Sequence, residues 1–588
     1  MERKGMDDKY KWDLTTIYKK HDDFYVDIKM LKKQLEELKT FEGKLDKKDS
    51  IASYLKLKQQ FSLRSTKAWC YAIMAKDIAM DEAKPIEDMG AIDALETKAG
   101  QQLAFATVEM SGLDDAFLTD LSKDPELRDF DRYFQEILRE KKHILSKGEE
   151  KLLAGFAGVS DYQGLYDTYT TNMLKFEPVR AKDGKMLELT RSNYSQFMLN
   201  LDRDIRKQAY ENFGATYKEH NIVLSEFYIA KLKSTKLFSS ARKFESSLKQ
   251  SLYGDELDES VYYNLLESVE QAKDIAEKMT EIRKKKLGLD EIMPYDRALP
   301  LDGVPMGLDF SFDYAVDCTK RAVAHINDEC VRVVDDLVKN RHFDVFPSKN
   351  KTDGGYNCSF GIGTSYVLLN YVDVHSWFSA VAHECGHALH AHYTEKSQPW
   401  DKTNPGIFLC EIASTVNEIL LIHELIKNAK TPEEKKYYMY ERVSDAWSTM
   451  STGPAFAKFE DEAHKLVQND APISYEVLNK CYSDIFSKYF AGTKLGEYTK
   501  YMWSTIPHFY RPFYFFKYAT GMVSAIVIAD KILHEEGYSK KYIEFLSAGG
   551  SLPSLDILKN AGVDLTDIGT YKKSINTIRT WVDEYSKL

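Results

Sequence analysis

His383, Glu384 and His387 stand close together in the run SWFSAVAHECGHALHAHY, residues 376–393. Two histidines four apart on a helix lie one above the other on one face, near enough to share a metal ion. Zinc is the usual guest of such a pair. Glu384 is rotated away from the two imidazoles yet stays beside the open coordination position, where a carboxylate can take a proton from an attacking water. The chemistry these residue types offer is metal-assisted hydrolysis with a glutamate as general base. Gly386 sits mid-helix, where glycine costs ~1 kcal/mol against alanine, and this predicts a close neighbour that needs its small size.

A hydrolytic zinc site takes three protein ligands and leaves one position open. The run FLCEIASTVNEILLI, residues 408–422, reads as a second, largely apolar helix carrying Glu411 and Glu418. Seven residues apart, these two share a face. Carboxylates in apolar surroundings are costly unless paired or bound to metal. Glu411, 24 residues past His387, is expected to be the third ligand, and Glu418 the carboxylate that orients a histidine. Manganese or cobalt would suit the same donors. His390, seven positions after His383, is expected behind the ligands, and His375 and His392 to be structural. His423-Glu424 is followed by Leu-Ile-Lys, so it does not repeat the motif.

Several elements must position these groups. Ser376 is expected to cap the motif helix, and Phe378, Val381, Ala382, Cys385, Ala388 and Leu389 recur at helical spacing. YVLLNY, residues 366–371, is the strongest strand signal and leads directly into that helix. Shorter strands are expected at 343–346 and 356–360. Beside a metal, a strand can hold an extended peptide through backbone hydrogen bonds; elsewhere it is an ordinary buried strand. Gly361 and Gly363 would allow close backbone approach, and no phosphate-binding glycine pattern is present.

HECGHALH, with Glu411 in CEIASTVNE, resembles the thimet oligopeptidase-like zinc metallopeptidases, and among them the oligoendopeptidase F group. KWDLTTIY near the start, KHILSKGEEKLLAGF at 142–156, YDRALPL at 295–301, YVLLNY, and FLSAGGSLPSLDILKNAGVDL at 545–565 extend the resemblance in the family's order. It implies a mainly α, multi-lobed helical metallopeptidase with a small β-sheet beside the active site and a deep substrate channel. The implied activity is zinc-dependent hydrolysis of internal bonds in short, unstructured oligopeptides. One Zn2+ per chain would be held by His383, His387 and Glu411, with Glu384 as base. The strand region would bind substrate through Gly363, Tyr366 and Leu368. The late segment IPHFYRPFYFFKYATGMVSA, residues 506–525, would supply oxyanion donors. His508 fits the family pattern best. Among the tyrosines, Tyr514 and Tyr518 rank above Tyr510, which is assigned to substrate contact; the thimet oligopeptidase segment is glycine-rich around its tyrosines and this one is not. A zinc carboxypeptidase of related architecture would need a buried cation for the substrate carboxylate, for which Arg511 is the candidate. A non-catalytic helical scaffold that kept a metal site is the third reading.

Composition narrows the classes. A chain of 588 residues with 43% hydrophobic and 29% charged residues can bury a large core. A net charge of -11 without a basic block argues against nucleic-acid binding. The start, MERKGMDDKYKWD, is not an apolar leader, and the most apolar stretch, 522–529, is too short to span a bilayer. Seven cysteines with no CxxC pair suit a reduced, cytoplasmic setting, with Cys385 and Cys410 as small buried hydrophobes. Three regions are expected: helices over 1–112 packed as an intramolecular bundle, a second helical lobe with a β-hairpin over 113–190, and a catalytic region over 191–588. The oligomeric state is left open.

Overall fold

The computed structural model describes residues 3–146, 148, 149, 152, 153, 156, 160–359 and 363–588. The fold is mainly helical. It divides into two compact units, each assembled from three separate stretches: Met1–Lys142, Gly307–Asn428 and Ile528–Val563 in the first, His143–Met306, Ala429–Val527 and Asp564–Leu588 in the second. The sequence boundaries at 112 and 190 do not coincide with this division, because both units are completed by helices that return from far along the chain.

In the first unit, helices His21–Lys39, Lys48–Asp77 and Ala83–Ser111 pack on one another. The first buries Phe24, Ile28, Leu31, Leu35 and Leu38, a stripe at three- and four-residue spacing. Gly43, with φ of +75°, supplies the left-handed turn that interrupts the pattern before the second helix begins. The stripe is therefore the inner face of an intramolecular bundle.

Five short strands are seen among the described residues. β1 (Val179–Arg180) and β2 (Met186–Leu187) form the expected hairpin in the second unit, shorter than the sequence suggests, with Gly184 at φ +83° in its turn. β3 (Phe343–Asp344), β4 (Tyr356–Cys358) and β5 (Tyr366–Leu368) form a three-stranded sheet in the first unit, in the order β3-β5-β4. β5 is parallel to β3 and antiparallel to β4. Lys351 is buried beside the sheet. Its ammonium pairs with Asp344 at 2.8 Å and donates to the carbonyls of Asp344, Phe346 and Leu369, which pins the ends of β3 and β5 together.

In the second unit, the long helix Pro432–Gln468 packs with Asn221–Ala241, Tyr475–Tyr489 and Ile568–Ser586. Its interior is aromatic: Tyr228, Tyr262, Phe459, Trp503, Phe509 and Phe516 are all buried.

Candidate active site

The motif lies on helix His375–Ser397, which begins one residue earlier than its expected cap. Val374 takes the extended N-cap conformation, so Ser376 falls inside the helix and does not cap it. The apolar glutamate run forms helix Ile407–Lys427, packed along the motif helix. Gly386 explains how closely they approach. A Cβ at that position would lie 2.5 Å from Ser414 Cα and 2.7 Å from the Ala413 carbonyl oxygen, inside van der Waals contact with rigid backbone. Asn417 adds a second tie, donating to the Ala382 carbonyl at 3.1 Å.

This contact brings the candidate ligands together. His383 Nε2 and His387 Nε2 are 3.2 Å apart, and Glu411 Oε2 is 3.7 Å from His383 Nε2. One ligand atom from each of the three residues fits within 4.8 Å of the others. Glu418 lies on the far side of the same imidazole, its Oε1 3.3 Å from His383 Nδ1. A carboxylate there fixes the ring so that Nε2 points away from it, toward His387 and Glu411.

The electrostatics call for a cation. Burial alone would lower the His383 pKa, but the hydrogen bond and charge of Glu418, with Glu384 and Glu411, carry it up to about 9. Burial, helped by His383 and His390, pushes His387 down to about 3, so its imidazole is neutral. Glu384 is only 8% exposed, and burial, opposed by His383 and aided by Glu411 and Glu418, raises its carboxyl to about 7. Its Oε2 is buried with no hydrogen-bond partner. Three carboxylates crowd around two imidazoles, and a divalent cation would relieve exactly this mutual repulsion. The donor set, two imidazole nitrogens and a carboxylate oxygen, suits zinc.

The sheet sits against the motif helix through β4: Asn357 donates to the Glu384 carbonyl at 3.1 Å. The assignment of substrate contacts to Tyr366 and Leu368 is corrected here. Both side chains are fully buried. β5 is the central strand, so β3 and β4 occupy both of its edges, and Tyr366 spends its hydroxyl on Thr16 and the Asp13 carbonyl. The strand with an edge unpaired among the described residues, and lying against the motif helix, is β4. Phe360 and Gly361 fall outside the described residues. Gly363, at φ +75°, borders a cavity of about 780 Å³ together with His342, Thr364, Ala388 and His392.

His390 is buried, stacks on Phe545 at 5.6 Å, and is kept neutral by burial, with a pKa of about 4. His392 pairs with Glu329 at 3.1 Å. All seven cysteines are free thiols. Cys385 is buried and Cys410 partly so; burial pushes the Cys410 thiol up to about 12.

The late segment belongs to the second unit and is not one helix. A 3-10 turn, Pro507–Tyr510, is followed by a break at Arg511–Phe515 before helix Phe516–His534 begins. His508 and Tyr514 lie nearly parallel with ring centroids 6.3 Å apart, and Tyr518 stands edge-on to Tyr514 at 5.3 Å. Tyr518 is 41% exposed. Tyr510, assigned to substrate contact, is a core residue instead: it is 5% exposed and packs on Tyr166 at 4.9 Å and on Tyr228. Burial and the neighbouring Arg511 lower the His508 pKa, so its ring is neutral near pH 7 and can donate one N–H. Arg511 is exposed and offers no buried cation. Sequence reasoning passed over Glu460, a fully buried carboxyl that accepts the Phe513 N–H at 2.7 Å and holds Phe513 at φ +56° between His508 and Tyr514. The one signal for it was a glutamate inside the apolar spacing of AFAKFEDEAH, residues 455–464.

A helical fold that packs an HExxH helix along a glutamate-bearing helix, with the two histidines and a glutamate converging, has the arrangement of a metallopeptidase. The chain belongs to peptidase family M3, whose profile matches residues 196–577; a second profile, Oligopeptidase F, matches residues 109–176. It is 29% identical to the oligoendopeptidase F homolog of Borreliella burgdorferi, with all of both chains covered. It is also 29% identical to the group B oligopeptidase PepB of Streptococcus agalactiae, over 96% of this chain and 94% of that one. The crystal structure of a peptidase from Chlamydophila abortus superposes with a TM-score of 0.93 at 25% identity, covering 100% of this chain and 99% of the other. The protein is thus a metalloendopeptidase, and no described helix is long and apolar enough to cross a membrane.

Proposed function

We propose that the protein cuts internal bonds of short, unstructured peptides with one zinc per chain, held by His383, His387 and Glu411. The observation that carries this reading is the convergence of those three ligand atoms within 4.8 Å, beside the partnerless buried oxygen of Glu384. The names of the relatives, oligoendopeptidase and oligopeptidase, point the same way. Bound zinc would polarise the scissile carbonyl and lower the pKa of water toward ~7. Glu384, with its raised pKa, accepts the proton of the attacking water and delivers it to the leaving amine. Glu418 keeps His383 in the tautomer whose Nε2 is free. The open edge of β4 aligns the peptide backbone along the motif helix and reads no side chain in doing so. The free thiols suit a reducing compartment, the cytoplasm.

A peptide blocked at both ends tests the substrate class. It should be cut internally into two fragments, lose all cleavage after chelation, and regain it with zinc, while an intact folded protein of similar composition survives. An intact blocked peptide, alongside stepwise removal of residues from the same peptide with a free C-terminus, would make the enzyme a carboxypeptidase.

In the same reading, the family resemblance assigns oxyanion stabilisation to His508 and to Tyr514 or Tyr518, and substitution tests that role. Losing one oxyanion donor costs roughly 10²- to 10³-fold in kcat. His508→Ala and Phe at the operative tyrosine should show that loss with zinc content and KM little changed. A change confined to KM would assign these groups to ground-state binding, and full kcat in all of the variants would remove them from the mechanism.

A further inference from the structure

We propose that His325, His423 and Glu424 form a second, weaker divalent-cation site at the other end of the glutamate helix. His325 directly follows helix Phe312–Ala324, and His423 and Glu424 lie in the last turns of Ile407–Lys427. The two helices pack on each other within the first unit. Glu424 lies 13 residues beyond Glu411, which at 1.5 Å per residue places it roughly 20 Å farther along the same helix.

The donors converge as they do at the first site. His325 Nε2 is 2.8 Å from Glu424 Oε1, the His325 and His423 ring centroids are 5.9 Å apart, and one ligand atom from each residue fits within 4.8 Å of the others. The set is again two imidazoles and one carboxylate, which suits zinc and its borderline relatives. Glu424 is 7% exposed, and Asn428 Nδ2 donates to its Oε2 at 2.9 Å, which leaves Oε1 directed at His325. The His325 backbone is tied by Ser539, whose hydroxyl donates to its carbonyl at 3.3 Å. Both helices end here, and the partial negative charge at helix C-termini favours a cation. A bound cation would replace the direct contact between His325 Nε2 and Glu424 Oε1.

Two features make this site the weaker one. It holds one carboxylate where the first has Glu384, Glu411 and Glu418 in reach. Lys427 Nζ also lies 3.3 Å from Glu424 Oε1, although that side chain is 59% exposed and free to swing into solvent. The second cation is therefore held more weakly than the first.

Equilibrium dialysis of the zinc-loaded enzyme against increasing zinc chloride tests this. Metal content should rise from one to two per chain, the second equivalent at least about tenfold weaker than the first. Tm should rise further as it binds, because the ion joins the ends of two packed helices. Cobalt added to the one-zinc enzyme should give visible absorption bands. His423→Ala and the milder His423→Gln and His325→Gln should each abolish the second equivalent, its Tm increment and the cobalt bands while keeping the first equivalent. A plateau at one metal per chain overturns the proposal, as does a second equivalent that survives in the folded histidine variants.

Discussion

Glu411→Ala should lose zinc outright, and peptidase activity with it, whereas Glu418→Ala should keep zinc but bind it about 10- to 100-fold more weakly. The difference follows from where each carboxylate sits. Glu411 Oε2 lies on the Nε2 side of His383, within reach of a shared ion, so its removal leaves two imidazoles and a site too poor to compete with chelating buffers. Glu418 touches the same ring at Nδ1 and acts only through it. Without Glu418, His383 can still offer Nε2, but the ring loses its orientation and part of its basicity. Metal titration of both variants against a competing chelator checks this. Metal-free Glu418→Ala with a metal-loaded Glu411→Ala would exchange the two roles.

Much of this arrangement is legible from local pattern. The HExxH spacing is a property of one helix, and the cost of Glu411 and Glu418 in an apolar run shows wherever the run is read. Gly386 announced a close neighbour before the partner was known; the partner is the backbone at Ala413 and Ser414. What was not legible depends on chain returns. YVLLNY looks like a good peptide-binding strand, yet the order β3-β5-β4 puts it in the middle, and only the pairing of distant segments decides which strand has an open edge. In the sequence, Tyr510 is assigned to substrate contact because it stands close to Tyr514 and Tyr518. The left-handed turn at Phe513, held by Glu460 from another helix, breaks that segment and sends Tyr510 into the core. His423-Glu424 carries no motif by itself, because its companion His325 is 98 residues away.

Glu384→Gln should be folded, zinc-loaded and nearly inactive. The substitution is isosteric and touches neither His383, His387 nor Glu411, but an amide cannot accept the proton of the attacking water. General-base catalysis is worth about 10²- to 10⁴-fold, and activity should fall by at least two orders of magnitude. The fit of the group is already tight: Glu384 is 8% exposed, its Oε2 has no partner, and burial holds its carboxyl near pKa 7, close to the working range of a base. The most direct measurement is zinc content and single-turnover cleavage of a blocked peptide on the same Glu384→Gln sample. One tightly bound zinc per chain with cleavage slowed at least about 100-fold is the predicted result. One zinc per chain with near-normal turnover would contradict the assignment of Glu384 as the base.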